Sequence, residues 1–230
     1  MIYCLQLNDR GNNRLPYLAL ALYASDVTVH LFACASKNRL MLRRVTKCLL
    51  MPLLALCYAL FAKTFLPNVL AAILFGFAGD LVLLFRPRRW AFPAGITAFA
   101  AGHVFYLVSF LSAMPQKPAW YWFALFGAVA LASACTLMRY IWKGLPNKLK
   151  PPSFLYMLLI GTMASSAILF GFSGASPLCW LAIPGGLLFV FSDATLSIDA
   201  FHHAVKYRNV VVMSTYIAAQ TLIVAALALN

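Results

Sequence analysis

Eight predominantly apolar runs, each about as long as a bilayer is thick, follow one another through this 230-residue chain and leave little between them. They fall at about 15–35, 46–62, 67–85, 90–112, 119–141, 153–172, 177–200 and 209–229. A hydrocarbon core of about 30 Å is crossed by about 20 residues of α-helix. Unpartnered backbone groups are costly in lipid, so runs of this kind must be helical. The expected fold is therefore all-α: a polytopic membrane protein, a bundle of eight transmembrane helices forming one integral membrane domain over 1–230. The connections hold Pro, Gly and basic residues, as in Arg86-Pro87-Arg88-Arg89, and none is long enough for a soluble domain. Composition agrees, with 63% hydrophobic and 10% charged residues; soluble domains are nearer ~45–50% and ~25%. The first run ends on Ala33-Cys34-Ala35, which resembles a signal cleavage site. Asp26 and His30 interrupt that run, however, and Lys37, Arg39, Arg43 and Arg44 follow at once, so a retained first helix is expected.

The net charge is +13, from 18 Lys and Arg against 5 acids. The basic residues sit in short segments flanking the apolar runs, which is the pattern of topology signals and lipid headgroup contacts rather than of nucleic-acid binding. Fourteen of the 18 fall in the connections 1–2, 3–4, 5–6 and 7–8 or the adjoining helix ends. The other side has Arg10, Arg14, Lys63 and Lys117. The positive-inside rule then places both termini outside the cytoplasm, in the cytoplasmic membrane if the source is bacterial. The six cysteines show no Cys-x-x-Cys spacing and read as buried thiols.

Every acid is an aspartate: Asp9, Asp26, Asp80, Asp193 and Asp199. A carboxyl at membrane depth is expensive to keep and marks a functional site by default. Helix-to-helix hydrogen bonding, the plainer role, is served at lower cost by Ser, Thr or Asn. Asp80 lies roughly 7–8 Å from the inner end of run 3 and Asp193 roughly 10 Å from that of run 7, counting 1.5 Å per residue. Tyr216 and Gln220, one turn apart in run 8, lie at a comparable depth, as does Arg139 in run 5. His103 and Tyr106 share one face of run 4, somewhat deeper. Polar groups of five helices thus converge on the cytoplasmic half, which predicts one cavity. A faint repeat accompanies them: Asp80 and Asp193 are each followed, 23 residues later, by a polar ring residue, His103 and Tyr216. Lys47 opens run 2 at the interface, where it either snorkels to headgroups or binds phosphate. Asp26 and His30 receive no role.

No His-Glu-x-x-His or paired-His spacing occurs in the runs, so no metal or other cofactor is expected. A Gly-x-Ser-x-Gly elbow, a Walker loop and a dinucleotide glycine fingerprint are also missing.

Several segments together resemble the lysoplasmalogenase family of integral membrane proteins, the YhhN-like group. They are Thr46-Lys47-Cys48-Leu49-Leu50-Met51-Pro52, Gly79-Asp80, Gly102-His103-x-x-Tyr106, Gly186-Leu187-Leu188-Phe189 with Ser192-Asp193-x-x-Leu196, and Thr215-Tyr216-x-x-Ala219-Gln220. One departure is Cys48, where the family usually has Pro after the Lys. The resemblance implies an eight-helix fold and a hydrolase acting on the vinyl ether bond of lysoplasmalogens, with ethanolamine or choline headgroups. The products would be a fatty aldehyde and a glycerophospho-base, and Asp80 and Asp193 the catalytic pair. Lys47, His103, Tyr106, Arg139, Ser192, Tyr216 and Gln220 are then the expected substrate-binding residues, and a lysophospholipid within the membrane the expected partner. The chemistry fits two carboxyls independently of the family. A vinyl ether is cleaved by protonating its β-carbon, and water captures the oxocarbenium ion that results. One carboxylic acid and one carboxylate divide that labour, much as in glycosidases. The alternative is a proton-coupled transporter or lipid flippase using the same pair as a relay. The small size and the lack of matched Gly/Pro-broken helices weigh against it.

Overall fold

A computed structural model describes residues 14–36, 38–85 and 90–230 of the chain. Among the described residues eight α-helices form: α1 (Arg14–Ala35), α2 (Leu40–Phe61), α3 (Pro67–Leu83), α4 (Ala91–Ala113), α5 (Trp120–Ile141), α6 (Lys150–Gly171), α7 (Ala182–Phe201) and α8 (Arg208–Ala228). Single 3₁₀ turns, Asn147–Leu149 and Cys179–Leu181, lead into α6 and α7. No strand occurs among the described residues.

Seven of these helices are long and apolar enough to cross a membrane, so the expected eight is one too many by that measure. The exception is α3, whose 17 residues reach only about 25 Å at 1.5 Å per residue. Pro67 fixes its first turn, and the helix ends three residues beyond Asp80. The chain is an integral, multi-pass membrane protein. One boundary matters for the site. α2 begins at Leu40, six residues before the apolar run that marks it in the sequence, because Leu40, Met41 and the long stems of Arg43 and Arg44 suit a helix emerging into the headgroup layer.

Seven helices close into a ring. α1 packs on α2, α2 on α3, α3 on α4, α4 on α6, α6 on α7, α7 on α8, and α8 returns to α1. α8 also meets α2, α3 and α4, so it leans toward the centre. α5 stands outside the ring, packed mainly on α6. The principal core includes Leu50, Tyr58, Phe110, Phe170, Phe189 and Ile223. A smaller one, with Met138, Ile141 and Met157, attaches α5 to α6.

Lipid tails are as apolar as the helix faces, so close packing and interhelical hydrogen bonds hold such a bundle together rather than expulsion of water. Small residues set the approach. A Cβ on Gly102 would lie 3.2 Å from the Ala72 carbonyl oxygen, and one on Gly186 would lie 3.1 Å from the Ala164 Cα. The first contact brings α4 against α3, and the second brings α7 against α6. Those two crossings join the helices that carry Asp80 and Asp193 to their neighbours.

The C-terminal parts of α1, α3 and α7 and the N-terminal parts of α2 and α8 line one cavity, so these ends lie together. Arg39, Arg43, Arg44, Lys47, Lys206 and Arg208 all belong to that end. Asp9, Arg10, Lys37, Arg86, Arg88 and Arg89, which also figure in the sequence reading, lie outside the described residues.

Candidate active site

The cavity at this end of the bundle has a volume of about 220 Å³, and both Asp80 and Asp193 are on its wall. Each carboxyl is built into a different hydrogen-bonded chain. Asp80 is buried on α3 and forms an ion pair with Lys47 of α2, Nζ to Oδ1 3.0 Å. Its other oxygen accepts a hydrogen bond from the Tyr216 hydroxyl of α8 at 3.0 Å. The Tyr216 oxygen in turn accepts from Gln220 Nε2 at 3.4 Å, and the Tyr106 hydroxyl of α4 donates to Gln220 Oε1 at 2.5 Å. Four helices therefore fix one carboxylate. An unpaired charge at this depth would be strongly unfavourable, and Lys47 supplies the compensating charge.

Asp193, on α7, has no cationic partner among the described residues. Its Oδ2 accepts from the Tyr156 hydroxyl of α6. Tyr156 also lies 3.2 Å from Nε2 of His103. Because the Tyr156 proton points to Asp193, His103 donates through Nε2, and its bare Nδ1 is buried without a partner. Phe189 separates the two chains. Its ring stands edge-on to His103 at 4.6 Å and to Tyr216 at 5.5 Å between centroids, limiting the motion of both.

The remaining wall is also ordered by hydrogen bonds. The Thr46 hydroxyl donates to the Leu42 carbonyl at 2.8 Å, so at 2.7 Å it accepts from His30 Nδ1. The second His30 nitrogen then faces the Cys34 thiol at 3.4 Å. Ser192 lines the cavity, but its hydroxyl donates to the Val212 carbonyl at 3.1 Å and braces α7 on α8.

Among the residues expected from sequence, Lys47, Asp80, Ser192, Asp193 and Tyr216 are on the cavity wall. His103, Tyr106 and Gln220 stand behind it, connected to the carboxyls through the two chains. Arg139 is not brought to the site. It is exposed on α5, outside the ring, and its depth alone had suggested a place in the cavity. Three residues with a bearing on the site were missed. Tyr156 is an isolated hydroxyl in an apolar helix, and its position near the start of α6, at the depth of Asp193, was the available signal. Arg43 and Arg44 look in the sequence like topology signals in a connection, whereas they belong to α2 and line the cavity. Among the described residues, no three His, Cys, Asp or Glu side chains gather to hold a metal.

The model of the YhhN family matches residues 42–227. The chain is 32% identical over 146 residues to the lysoplasmalogenase TMEM86B of Mus musculus, an alignment covering 64% of this chain and 57% of that protein. The Sus scrofa TMEM86B is 33% identical over 153 residues, covering 66% and 59%. The lysoplasmalogenase TMEM86A of Bos taurus is 28% identical over 159 residues, covering 68% and 63%. The chain thus spans somewhat under two thirds of the length of these relatives. No solved structure matches it. With the family model covering most of the sequence, all of the helices but the first, and both carboxyls of the cavity, the chain belongs to the YhhN family.

Proposed function

We propose that this protein hydrolyses the vinyl ether bond of a lysoplasmalogen, with Asp193 as proton donor and Asp80 as the fixed carboxylate. The carrying observation is that two carboxyls on one cavity wall, Asp80 buried and Asp193 half-buried, have unlike partners, an ammonium for Asp80 and a phenol for Asp193. The substrate class comes from the relatives, which bear the name lysoplasmalogenase.

Asp193 transfers its proton to the β-carbon of the alkenyl chain, and the ether oxygen lone pair forms an oxocarbenium ion with the α-carbon. The Asp80 carboxylate faces that cation without being consumed, since Lys47 and Tyr216 hold its two oxygens. Water adds to the α-carbon, and Asp193, now a carboxylate, takes the proton that water releases. The hemiacetal collapses to a fatty aldehyde and a free glycerol hydroxyl. One water is consumed, no electrons change hands, and Asp193 ends protonated as it began. Tyr156, held by His103, aims the Asp193 carboxyl as a positioning residue.

The test uses purified protein in detergent, where neither a membrane potential nor a second compartment exists. Aldehyde should be released from 1-alkenyl lysophosphatidylethanolamine, and Asp193→Asn should abolish its release. In deuterium oxide the aldehyde should carry one solvent deuterium on the carbon next to its carbonyl. Wild-type protein that releases no aldehyde, as the transporter reading requires, or an active Asp193→Asn variant, refutes the proposal.

A further inference from the structure

Four cationic side chains line the cavity: Arg43, Arg44, Lys47 and Arg208. Two are already engaged. Lys47 pairs with Asp80, and Arg208 Nη1 donates to Asp199 Oδ2 at 3.0 Å, while Asp199 Oδ1 also accepts from the Val205 backbone N–H. Arg43 and Arg44 have no acidic partner among the described residues, and the first turn of α2 contains no acid. Two arginines on successive positions of α2, Arg43 half-buried and Arg44 exposed, therefore border one cavity without a carboxylate partner. Both attract an anion that enters it, and the planar fork of Arg suits the oxygens of a phosphate.

Position narrows the choice of anion. Arg43 precedes Lys47 by four residues, so the two project from the same face of α2, about 6 Å apart along its axis. Lys47 marks the carboxyl site. In a lysolipid with its ether on the first glycerol carbon, six bonds separate the α-carbon from phosphorus, an extended reach of about 6–7 Å. A lipid whose α-carbon lies at the carboxyls thus brings its phosphate level with Arg43.

We infer that Arg43 and Arg44 form a phosphate-binding subsite, which selects single-chain glycerophospholipids over neutral alkenyl- and alkylglycerols. Neither Lys47 nor Arg139 serves that purpose: the first is committed to Asp80, and the second is on the outer helix. The inference rests on the reading of this cavity as the lipid site, and its test does not depend on cleavage.

The test measures binding of two non-cleavable saturated ethers, 1-alkyl lysophosphatidylcholine and 1-alkylglycerol, to the full chain in a non-ionic detergent. Wild-type protein should bind the phosphorylated ether about tenfold tighter or more, the order expected of one charge-assisted hydrogen bond. In the double variant Arg43→Gln/Arg44→Gln that preference should vanish, through weaker binding of the phospholipid alone. Equal preference in the variant and wild type, or equal losses for both ligands, would overturn the inference. Salt gives a second measurement in unmodified protein, guarding against a variant that fails to fold: raising ionic strength should weaken the phosphorylated ligand and leave alkylglycerol unchanged. A salt-independent preference overturns the inference too. Competition separates the two sources of lipid phosphate. Two-chain phosphatidylcholine in mixed micelles should compete poorly; if it competes as well as the lysolipid, the arginines are a general headgroup contact and the proposed selectivity is wrong. If binding behaves as expected while no vinyl ether is cleaved, the subsite stands and the hydrolase reading fails.

Discussion

Replacing Lys47 by Met removes the cation from a pair in which the lysine side chain is 17% exposed and the aspartate 4%. Met fills most of the stem's volume, so the main consequence is electrostatic: the buried Asp80 carboxylate keeps the Tyr216 hydrogen bond but loses its paired cation. Breaking a buried pair by removing one partner costs about 3–5 kcal/mol. At about 2–4 °C per kcal/mol for a chain of this size, the thermal midpoint should fall by roughly 6–20 °C. Asp80→Asn leaves the lysine alone instead, but its four-carbon stem can reach the headgroup layer, so that variant should lose roughly half as much. The double variant Lys47→Met/Asp80→Asn strands no charge and should recover most of the loss, while remaining inactive. Thermal unfolding followed through the five tryptophans, in one detergent at one protein concentration, measures all four proteins. A double variant as unstable as Lys47→Met alone would refute the reasoning, because the loss would then reflect packing rather than an isolated carboxylate.

Tyr156→Phe removes the hydroxyl that aims Asp193 and leaves buried His103 Nε2 without a partner. It should lower kcat about tenfold or more with little change in KM, and lower stability by about 1–3 kcal/mol; steady-state kinetics and thermal unfolding check the two effects, and an unchanged kcat would leave Tyr156 with a structural role only. The pH–rate profile of the wild type should be bell-shaped, since two interacting carboxyls titrate as a pair and activity needs one proton between them; a rate independent of pH would contradict this division of labour. Gly186→Val forces a Cβ against the backbone of α6 and should destabilise the protein by about 1–3 kcal/mol while spreading α6 from α7, seen as a lower midpoint and reduced activity together.

Depth was legible in the sequence, whereas direction around each helix was not. Counting residues from the end of an apolar run gives depth directly, because the helical rise is fixed at about 1.5 Å. This is why Asp80, Asp193 and Tyr216, picked out by depth, do share a cavity. Whether a residue at that depth faces a cavity or lipid depends on which helices are neighbours, and hydropathy does not encode the order of packing. Arg139 shows the consequence: its depth is right, but α5 is left outside when α4 packs directly on α6. Arg43 and Arg44 were obscured for another reason. Arginine lowers local hydropathy, so a run that marks α2 by hydropathy starts after them, although the helix has already begun at Leu40. The count of spanning helices differs at α3 for a similar reason, because an apolar run measures composition and Leu84 and Phe85 extend it past the helix.

The chain of bonds behind Asp80 has a polarity. Tyr106 donates to Gln220, Gln220 to Tyr216, and Tyr216 to Asp80, so each dipole points toward the carboxylate. Turning the Gln220 amide over would place its carbonyl against the Tyr216 hydroxyl and draw that proton away from Asp80; the arrangement is self-consistent in one sense only. A carboxamide also cannot hand a proton along, since it would have to gain one on oxygen and lose one from nitrogen, both unfavourable near neutral pH. The branch therefore supports a negative charge at the cavity wall and offers it no relay of protons beyond Gln220.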